Sequence, residues 1–162
     1  MLVSRRYCGD AQCVEMPTAR LRVLIADDHV PLRAALRRDL EDGGIEVCAE
    51  AGTGLQAIDA ALSVRPDVCL IDFRMPDGGG ITATETICRA LPATKVVLMT
   101  ATPDEEGAIA AARAGADGYI AKDIDPRRLP RVVRAVAAGQ AAYPRRLMHG
   151  LLRAVRQAGR SA

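Results

Sequence analysis

The sequence predicts an α/β protein in which parallel strands form a doubly wound sheet covered by helices on both faces. Short apolar runs recur along the chain, and their first residues are separated by 22 to 28 positions. The segments between these runs carry apolar residues at helical spacing, such as Leu32, Leu36 and Leu40. Strands that alternate with helices of this length indicate βαβ units.

Five strands are predicted, and four of them are apolar throughout, as strands buried on both faces are. The second strand instead has polar Glu46 and Glu50 at alternate positions. Val47 and Ala49 between them are apolar, which is typical of an edge strand. Residues 81–91 are predicted to be helical from their length and position. The five strand segments are 22–26, 45–49, 68–71, 96–99 and 118–121.

The last two helices of the repeating pattern have recognisable ends. Thr102 is predicted to be the N-cap of the fourth helix, with a proline directly after it and Glu105 as the capping-box acid. Gly115 is predicted to end that helix. Pro130 would remove a helical hydrogen bond, so the fifth helix is expected to begin near Leu129.

Length and composition indicate one globular domain with a segment at each end. The chain has 162 residues, of which 49% are hydrophobic and 26% charged, enough apolar material for a core. The alternating pattern covers residues 20–138. Residues 1–19 have no strong periodicity and are expected to be a flexible N-terminal extension. Residues 139–162 are expected to form a basic linker and helix that leads to an output domain absent from this chain.

The positive charge is concentrated at the C-terminal end. Residues 126–162 contain nine arginines and no acid, whereas residues 1–125 contain 20 acidic and 13 basic side chains. A basic run of this kind can contact DNA, but a solvated helix face is more common and is favoured here. Within it, Leu147, Leu151 and Val155 form a helical stripe that would pack on the domain, on a second copy or on an output domain.

Composition also excludes several classes of protein. The apolar runs span only four or five residues, too few to cross a membrane. The first ten residues carry Arg5 and Arg6 but no apolar stretch behind them, so a secretory signal is not expected. Five cysteines without metal-ligand spacing favour reduced thiols and a cytoplasmic location. Aromatic residues make up 2% of the chain, which argues against a stacking surface for single-stranded nucleic acid.

Polar residues follow four of the predicted strands at the point where each strand ends. Asp27 and Asp28 follow the first strand, Asp72 the third, Thr100 the fourth and Lys122 the fifth. In an open parallel sheet, ligands bind at the carboxyl ends of the strands, where the strand order reverses. These five side chains converge if the order is 2-1-3-4-5, the flavodoxin-like (βα)5 arrangement.

Three neighbouring carboxylates repel one another unless they are protonated or neutralised. A magnesium ion held by Asp27, Asp28 and Asp72 would resolve this, because Mg²⁺ prefers carboxylate, water and phosphate oxygens. Asp72 comes from the central strand and is the best candidate for a nucleophile toward phosphorus. Lys122 and Thr100 would then supply a positive charge and a hydroxyl to the transferred group.

Segments 23–29, 72–76, 99–101 and 115–123 resemble the receiver domain of bacterial two-component response regulators. The resemblance covers about residues 20–138. It implies that Asp72 accepts a phosphoryl group from the phosphohistidine of a sensor histidine kinase. It also implies that the main-chain carbonyl of Arg74 joins the metal ligands. In the family, a threonine and an aromatic residue move on phosphorylation, and Thr100 and Tyr119 occupy those places here.

The Asp-Asp-His sequence after the first strand and the Gly-Tyr-Ile-Ala-Lys-Asp sequence at the fifth are similar to receivers with a LuxR-type helix-turn-helix output. In that subfamily a basic linker helix, similar to residues 144–156, precedes the DNA-binding domain. The resemblance therefore implies DNA contact only through an output domain outside this chain, and it allows a homodimer. A piece of a longer regulator is favoured over a single-domain regulator.

The alternative within the same chemistry is a phosphatase that turns over small phosphoesters through an aspartyl phosphate. Phosphatases of the haloacid-dehalogenase type place the nucleophile after the first strand with a second aspartate two residues later. Asp27 is followed by Asp28 and His29, so this pattern is not met. A flavin carrier is also disfavoured, because hydroxyl-rich phosphate loops and stacking aromatics are lacking. The sequence favours a phosphoacceptor that is not an enzyme.

Overall fold

The computed structural model describes residues 19–77 and 79–159. Their central feature is a five-stranded parallel sheet with the order β2-β1-β3-β4-β5, which confirms the predicted fold class. Residues 1–18, which hold nearly all of the expected N-terminal extension, lie outside the described part. The strands are β1 Arg22–Ala26, β2 Glu46–Ala51, β3 Val68–Asp72, β4 Lys95–Thr100 and β5 Gly118–Ala121.

Helices cover both faces of the sheet, as the pattern predicted. On one face, α1 and α5 bury side chains such as Leu40 and Val133 against the strands. On the other face, α2, α3 and α4 bury small and branched residues, among them Ala57, Ile87 and Ala111. The helices are α1 Val30–Asp42, α2 Gly54–Val64, α3 Gly79–Ala90, α4 Glu105–Arg113, α5 Leu129–Ala137 and α6 Met148–Ala158.

Strand β2 lies at the edge of the sheet, as predicted, but its alternation is interrupted. The pairing with β1 shifts by one residue, so Val23 pairs with Val47 and Leu24 pairs with Ala49. Cys48 is the extra residue of this bulge. Because a one-residue insertion reverses the faces that follow it, Val47 and Ala49 belong to opposite cores.

Helix α4 begins two residues later than predicted. Asp104, and not Thr102, is the N-cap: its Oδ1 accepts a hydrogen bond from the N–H of Gly107 at 2.7 Å. The prediction was wrong for two reasons. Asp104 is the better hydrogen-bond acceptor, and a helix that begins after it has two glutamates in its first turn, where negative charge is favourable. Helix α5 begins at Leu129, as expected.

The segment after α5 returns to the sheet. Ala142 extends the sheet beyond β5: its carbonyl accepts the N–H of Tyr119 at 2.8 Å, and its own N–H donates to Asp117 at 3.0 Å. A short 3₁₀ helix, Arg145–Leu147, then leads into α6, which packs on α4. Of the predicted stripe, Leu147 and Leu151 are buried in this contact, whereas Val155 is exposed. No helix among the described residues has the length and apolar character needed to cross a membrane.

Candidate functional site

The fold brings the predicted strand-end residues to one edge of the sheet. Asp72 is the last residue of β3, and Asp27 and Lys122 directly follow β1 and β5. The Lys122 ammonium lies between the two carboxylates, with Nζ 2.8 Å from Asp27 Oδ2 and 2.8 Å from Asp72 Oδ2. Three groups separated by up to 95 positions along the chain therefore form one ionic cluster.

Both carboxylates are removed from solvent. Asp27 is fully buried and Asp72 is 4% exposed. Burial raises the pKa of Asp72 above its ordinary value, and hydrogen bonding from Lys122 and from the backbone of Arg74 opposes that rise only in part. Burial would lower the pKa of Lys122, but its hydrogen bonds with both carboxylates outweigh burial and raise it. The ammonium is therefore the resident counter-charge of the cluster.

A third carboxylate completes a group that fits a divalent cation. Oxygen atoms of Asp27, Asp28 and Asp72 all lie within 4.8 Å of one another, and Asp28 faces solvent. Asp27 Oδ1 accepts the N–H of His29 at 2.8 Å, whereas its buried Oδ2 has no hydrogen-bond partner apart from the ionic contact with Lys122. Hard oxygen donors of this kind suit Mg²⁺, which takes one or two carboxylates and completes its shell with water and phosphate oxygens.

His29 has a structural place beside this cluster. It is the N-cap of α1, and its Nδ1 accepts the N–H of Leu32 at 3.3 Å. Its imidazole therefore serves the start of the helix. The hydrogen bond from its backbone to Asp27 also fixes the orientation of that carboxylate.

The backbone after β3 holds Asp72 in place. The N–H of Arg74 donates to Asp72 Oδ1 at 3.0 Å, and the N–H of Phe73 donates to the Met99 carbonyl at 2.7 Å. Arg74 is thus adjacent to the cluster, as the resemblance implied. The role of its main-chain carbonyl as a metal ligand stays a prediction.

Beside the cluster, a cleft of about 550 Å³ extends from Asp72 and Lys122 to α4. Tyr119 is 1% exposed and lies against Phe73, with their rings edge to face and their centroids 5.8 Å apart. Burial raises the pKa of Tyr119, and hydrogen bonding with the Asp104 backbone and the Thr100 side chain opposes the rise. Residues from both sides line this cleft, among them Asp72, Thr100, Asp104, Gly107, Tyr119 and Lys122.

Two residues of this cleft were missed by sequence reasoning. Phe73 was noted only as part of a motif, although its ring packs on Tyr119. Gly107 was not singled out, although a Cβ there would overlap the Tyr119 hydroxyl. The only available signal for Gly107 was a glycine within the first turn of an otherwise favourable helix, where glycine costs stability.

Comparison with known proteins agrees with this geometry. The family model described as the response regulator receiver domain matches residues 23–134. The chain belongs to the response-regulator receiver family. Members of this family act as signalling proteins.

The receiver is similar to part of several bacterial regulators. It is 37% identical over 134 residues to the nitrate/nitrite response regulator protein NarP of Escherichia coli, covering 82% of this chain and 62% of NarP. It is 33% identical over 139 residues to the transcriptional activator DevR/DosR of Mycobacterium tuberculosis, covering 85% and 64%. The chain therefore spans less than two thirds of the length of these relatives.

Solved structures give the same assignment. A two-component response regulator of the LuxR family from Aurantimonas sp. superposes with a TM-score of 0.76 at 30% identity, covering 83% of this chain and 97% of that one. The receiver domain of the putative response regulator NarL from Mycobacterium tuberculosis gives 0.71 at 30% identity, covering 75% and 98%. The receiver thus resembles regulators of the LuxR and NarL type.

Proposed function

We propose that the receiver stores a signal as a phosphoryl group on Asp72, taken from the phosphohistidine of a sensor histidine kinase in a Mg²⁺-dependent reaction. The observation that carries this proposal is the cluster in which one ammonium lies 2.8 Å from two buried carboxylates. Such a cluster stabilises an added dianionic group better than a neutral pocket would, because the cation is already in place.

The proposed transfer breaks one bond and forms one. A carboxylate oxygen of Asp72 attacks phosphorus as the P–N bond of the phosphohistidine breaks, and the imidazole leaves with the electron pair of that bond. Asp27 and Asp28, with the Arg74 carbonyl, would hold a magnesium ion, which supplies positive charge beside the phosphoryl oxygens. Lys122 then shifts its ion pair from the Asp72 carboxylate to the new phosphoryl group.

Phosphorylation would act on the cleft side of the site. The added group carries a charge of about −1.5 to −2, and the Thr100 hydroxyl would donate a hydrogen bond to it. The side chain of Tyr119, which lines the same cleft, would then move together with Thr100. A change at β4, β5 and α4 would then alter homodimerisation or a DNA-binding output domain.

The remaining assignments are part of the same proposal. Residues 20–138 are the receiver, residues 1–19 an extension, and residues 139–162 lead to a LuxR-type output domain that makes the DNA contact. The proposal places the protein in the cytoplasm, where its kinase partner presents the phosphohistidine.

The test is transfer from a small phosphodonor. The chain is incubated with acetyl phosphate and Mg²⁺, and intact mass spectrometry counts added phosphoryl groups. Wild-type protein and Asp59→Asn, which changes an exposed aspartate on α2, should each gain one group, and Asp72→Asn should gain none. Equal labelling of Asp72→Asn would refute the assignment of the nucleophile. Sustained multiple turnover of p-nitrophenyl phosphate would instead favour the phosphatase alternative.

A further inference from the structure

The loop between β4 and α4 is held from outside the receiver fold. We call the 3₁₀ helix and α6, residues 145–158, the clasp. From the clasp, Arg146 Nη2 donates to the carbonyl oxygen of Pro103 at 2.9 Å. Arg153 Nη2 lies 2.9 Å from Glu105 Oε1, at the first residue of α4. Both ends of the turn that starts α4 are therefore tied to the clasp.

The packing beneath these polar contacts is close. Leu147 and Leu151 are 5% and 8% exposed, and both belong to the core on that face of the sheet. Between them, Gly150 lies directly against the side chain of Glu105, and a Cβ at this position would overlap that carboxyl group. The clasp is therefore fitted to α4 by shape as well as by charge.

The residue between the two anchored positions reaches the site. Asp104 Oδ1 accepts the N–H of Gly107 at 2.7 Å, and Gly107 lies so close to the Tyr119 hydroxyl that a Cβ there would overlap it. Asp104, Tyr119 and Thr100 all line the cleft beside Asp72. The first turn of α4 is therefore in contact with Tyr119, in the same cleft as Thr100.

We propose that Arg146 and Arg153 are positioning residues for phosphorylation of Asp72, acting through the loop that carries Asp104. This inference rests on the proposed function and adds residues outside the 20–138 segment to it. The clasp holds the first turn of α4, where Gly107 lies against the Tyr119 hydroxyl, and so keeps Tyr119 in place in the cleft that it shares with Thr100. Releasing the clasp leaves the acidic cluster intact but allows the loop to move.

Arg146→Ala is the principal variant, because it removes the hydrogen bond to Pro103 and touches no residue of the acidic cluster. Its matched control is Arg145→Ala, the same change one residue earlier, where the side chain is exposed and has no hydrogen bond or ion pair among the described residues. The rate of Asp72 phosphorylation is measured at saturating acetyl phosphate and Mg²⁺. We expect Arg146→Ala to slow it by about twofold to tenfold, the range for one hydrogen bond, and Arg145→Ala to leave it unchanged.

Three further experiments separate positioning from general damage to the fold. The Kd for Mg²⁺, measured by titration without phosphodonor, should be the same in wild type and Arg146→Ala, because Asp27, Asp28 and Asp72 are untouched. Arg146→Lys, which keeps a donor, should recover most of the lost rate. Amide hydrogen exchange of residues 101–106 should be faster in Arg146→Ala than in Arg145→Ala.

Arg153→Ala repeats the test at the other end of the turn. Its control is Arg156→Ala, an exposed arginine one turn later on α6 with no ion pair among the described residues. If the two members of each pair are phosphorylated at the same rate as wild type, the positioning role is wrong and the proposed function stands. A faster reaction in Arg146→Ala would overturn the direction of coupling. If wild type itself takes no phosphoryl group, the proposed function and this inference fail together.

Discussion

Replacement of Lys122 by methionine tests the electrostatic core of the site. The side chain of Lys122 is 19% exposed, and its ammonium is the cation 2.8 Å from both Asp27 Oδ2 and Asp72 Oδ2. Methionine keeps most of the volume and removes the charge. Without Mg²⁺, the two buried carboxylates would then face each other with no counter-charge.

The expected loss of stability follows from this geometry. At 2.8 Å and an effective dielectric constant of about 20, each ion pair is worth about 6 kcal/mol before desolvation is subtracted. Desolvation offsets most of that gain, and removal of one partner from a buried pair costs about 3–5 kcal/mol. The site is open to water on the Asp28 side, so we expect about 3 kcal/mol for Lys122→Met. That corresponds to a Tm lower by about 6–12 °C.

The chain offers a matched control, because it contains only two lysines. Lys95 lies at the opposite end of β4 and pairs with Asp117 at 3.3 Å, with both side chains more than a quarter exposed. An exposed pair of this kind contributes about 0–1 kcal/mol. Urea denaturation of Lys122→Met and Lys95→Met in EDTA should therefore separate the two variants clearly.

Magnesium should stabilise Lys122→Met more than it stabilises Lys95→Met. With the competing ammonium removed, the acidic cluster should bind Mg²⁺ more tightly than in wild type. A concentration of 100 times Kd adds about 2.7 kcal/mol to the free energy of unfolding, close to the expected loss. Equal destabilisation of Lys122→Met and Lys95→Met, or no greater stabilisation by Mg²⁺ in Lys122→Met, would refute this account of the cluster.

Two other substitutions probe the surroundings of the site. Gly107→Ala should lower the free energy of unfolding by about 1–3 kcal/mol, because its Cβ would overlap the Tyr119 hydroxyl. Urea denaturation measures this loss, with Gly52→Ala as the control because a Cβ has room there. An equal effect at both glycines would contradict the prediction. Tyr143 donates to the Ala116 carbonyl at 2.7 Å, and burial raises its pKa to about 12. The pKa of tyrosine in the unfolded chain is about 10, so the stabilisation by the Tyr143 hydroxyl is complete below about pH 10 and is lost by about pH 12. Wild type should therefore lose more stability over that range than Tyr143→Phe. Parallel losses in the two proteins would show that Tyr143 is not responsible.

The parts of the fold that follow from periodicity and strand-end chemistry could be predicted. Buried parallel strands are continuous apolar runs, so the bounds of β1 and β5 agreed with the prediction at both ends. A parallel sheet aligns all carboxyl ends at one edge, so polar residues directly after such runs had to meet there. This is why Asp27, Asp72 and Lys122 could be placed together without knowledge of any contact.

The details that escaped prediction depend on contacts between elements remote in sequence. The alternation of polar and apolar residues in β2 does not reveal the bulge at Cys48. Only the pairing with β1 shows which residue is extra. The start of α4 has two plausible caps, Thr102 and Asp104. Asp104 is the cap in the structure, where the Pro103 carbonyl accepts a hydrogen bond from Arg146, 43 residues further along the chain.

The choice of lysine at position 122 is itself informative in a chain with twenty arginines and two lysines. Arginine presents a bulky planar guanidinium whose donors point in fixed directions. The site instead needs one compact cation that contacts two separate carboxylates and can turn toward a third anion on a flexible stem. A guanidinium would hold Asp72 more rigidly and would be harder to detach when the phosphoryl group arrives. The ammonium therefore meets two requirements at once: it neutralises the buried acids at rest, and it can be redirected when Asp72 reacts.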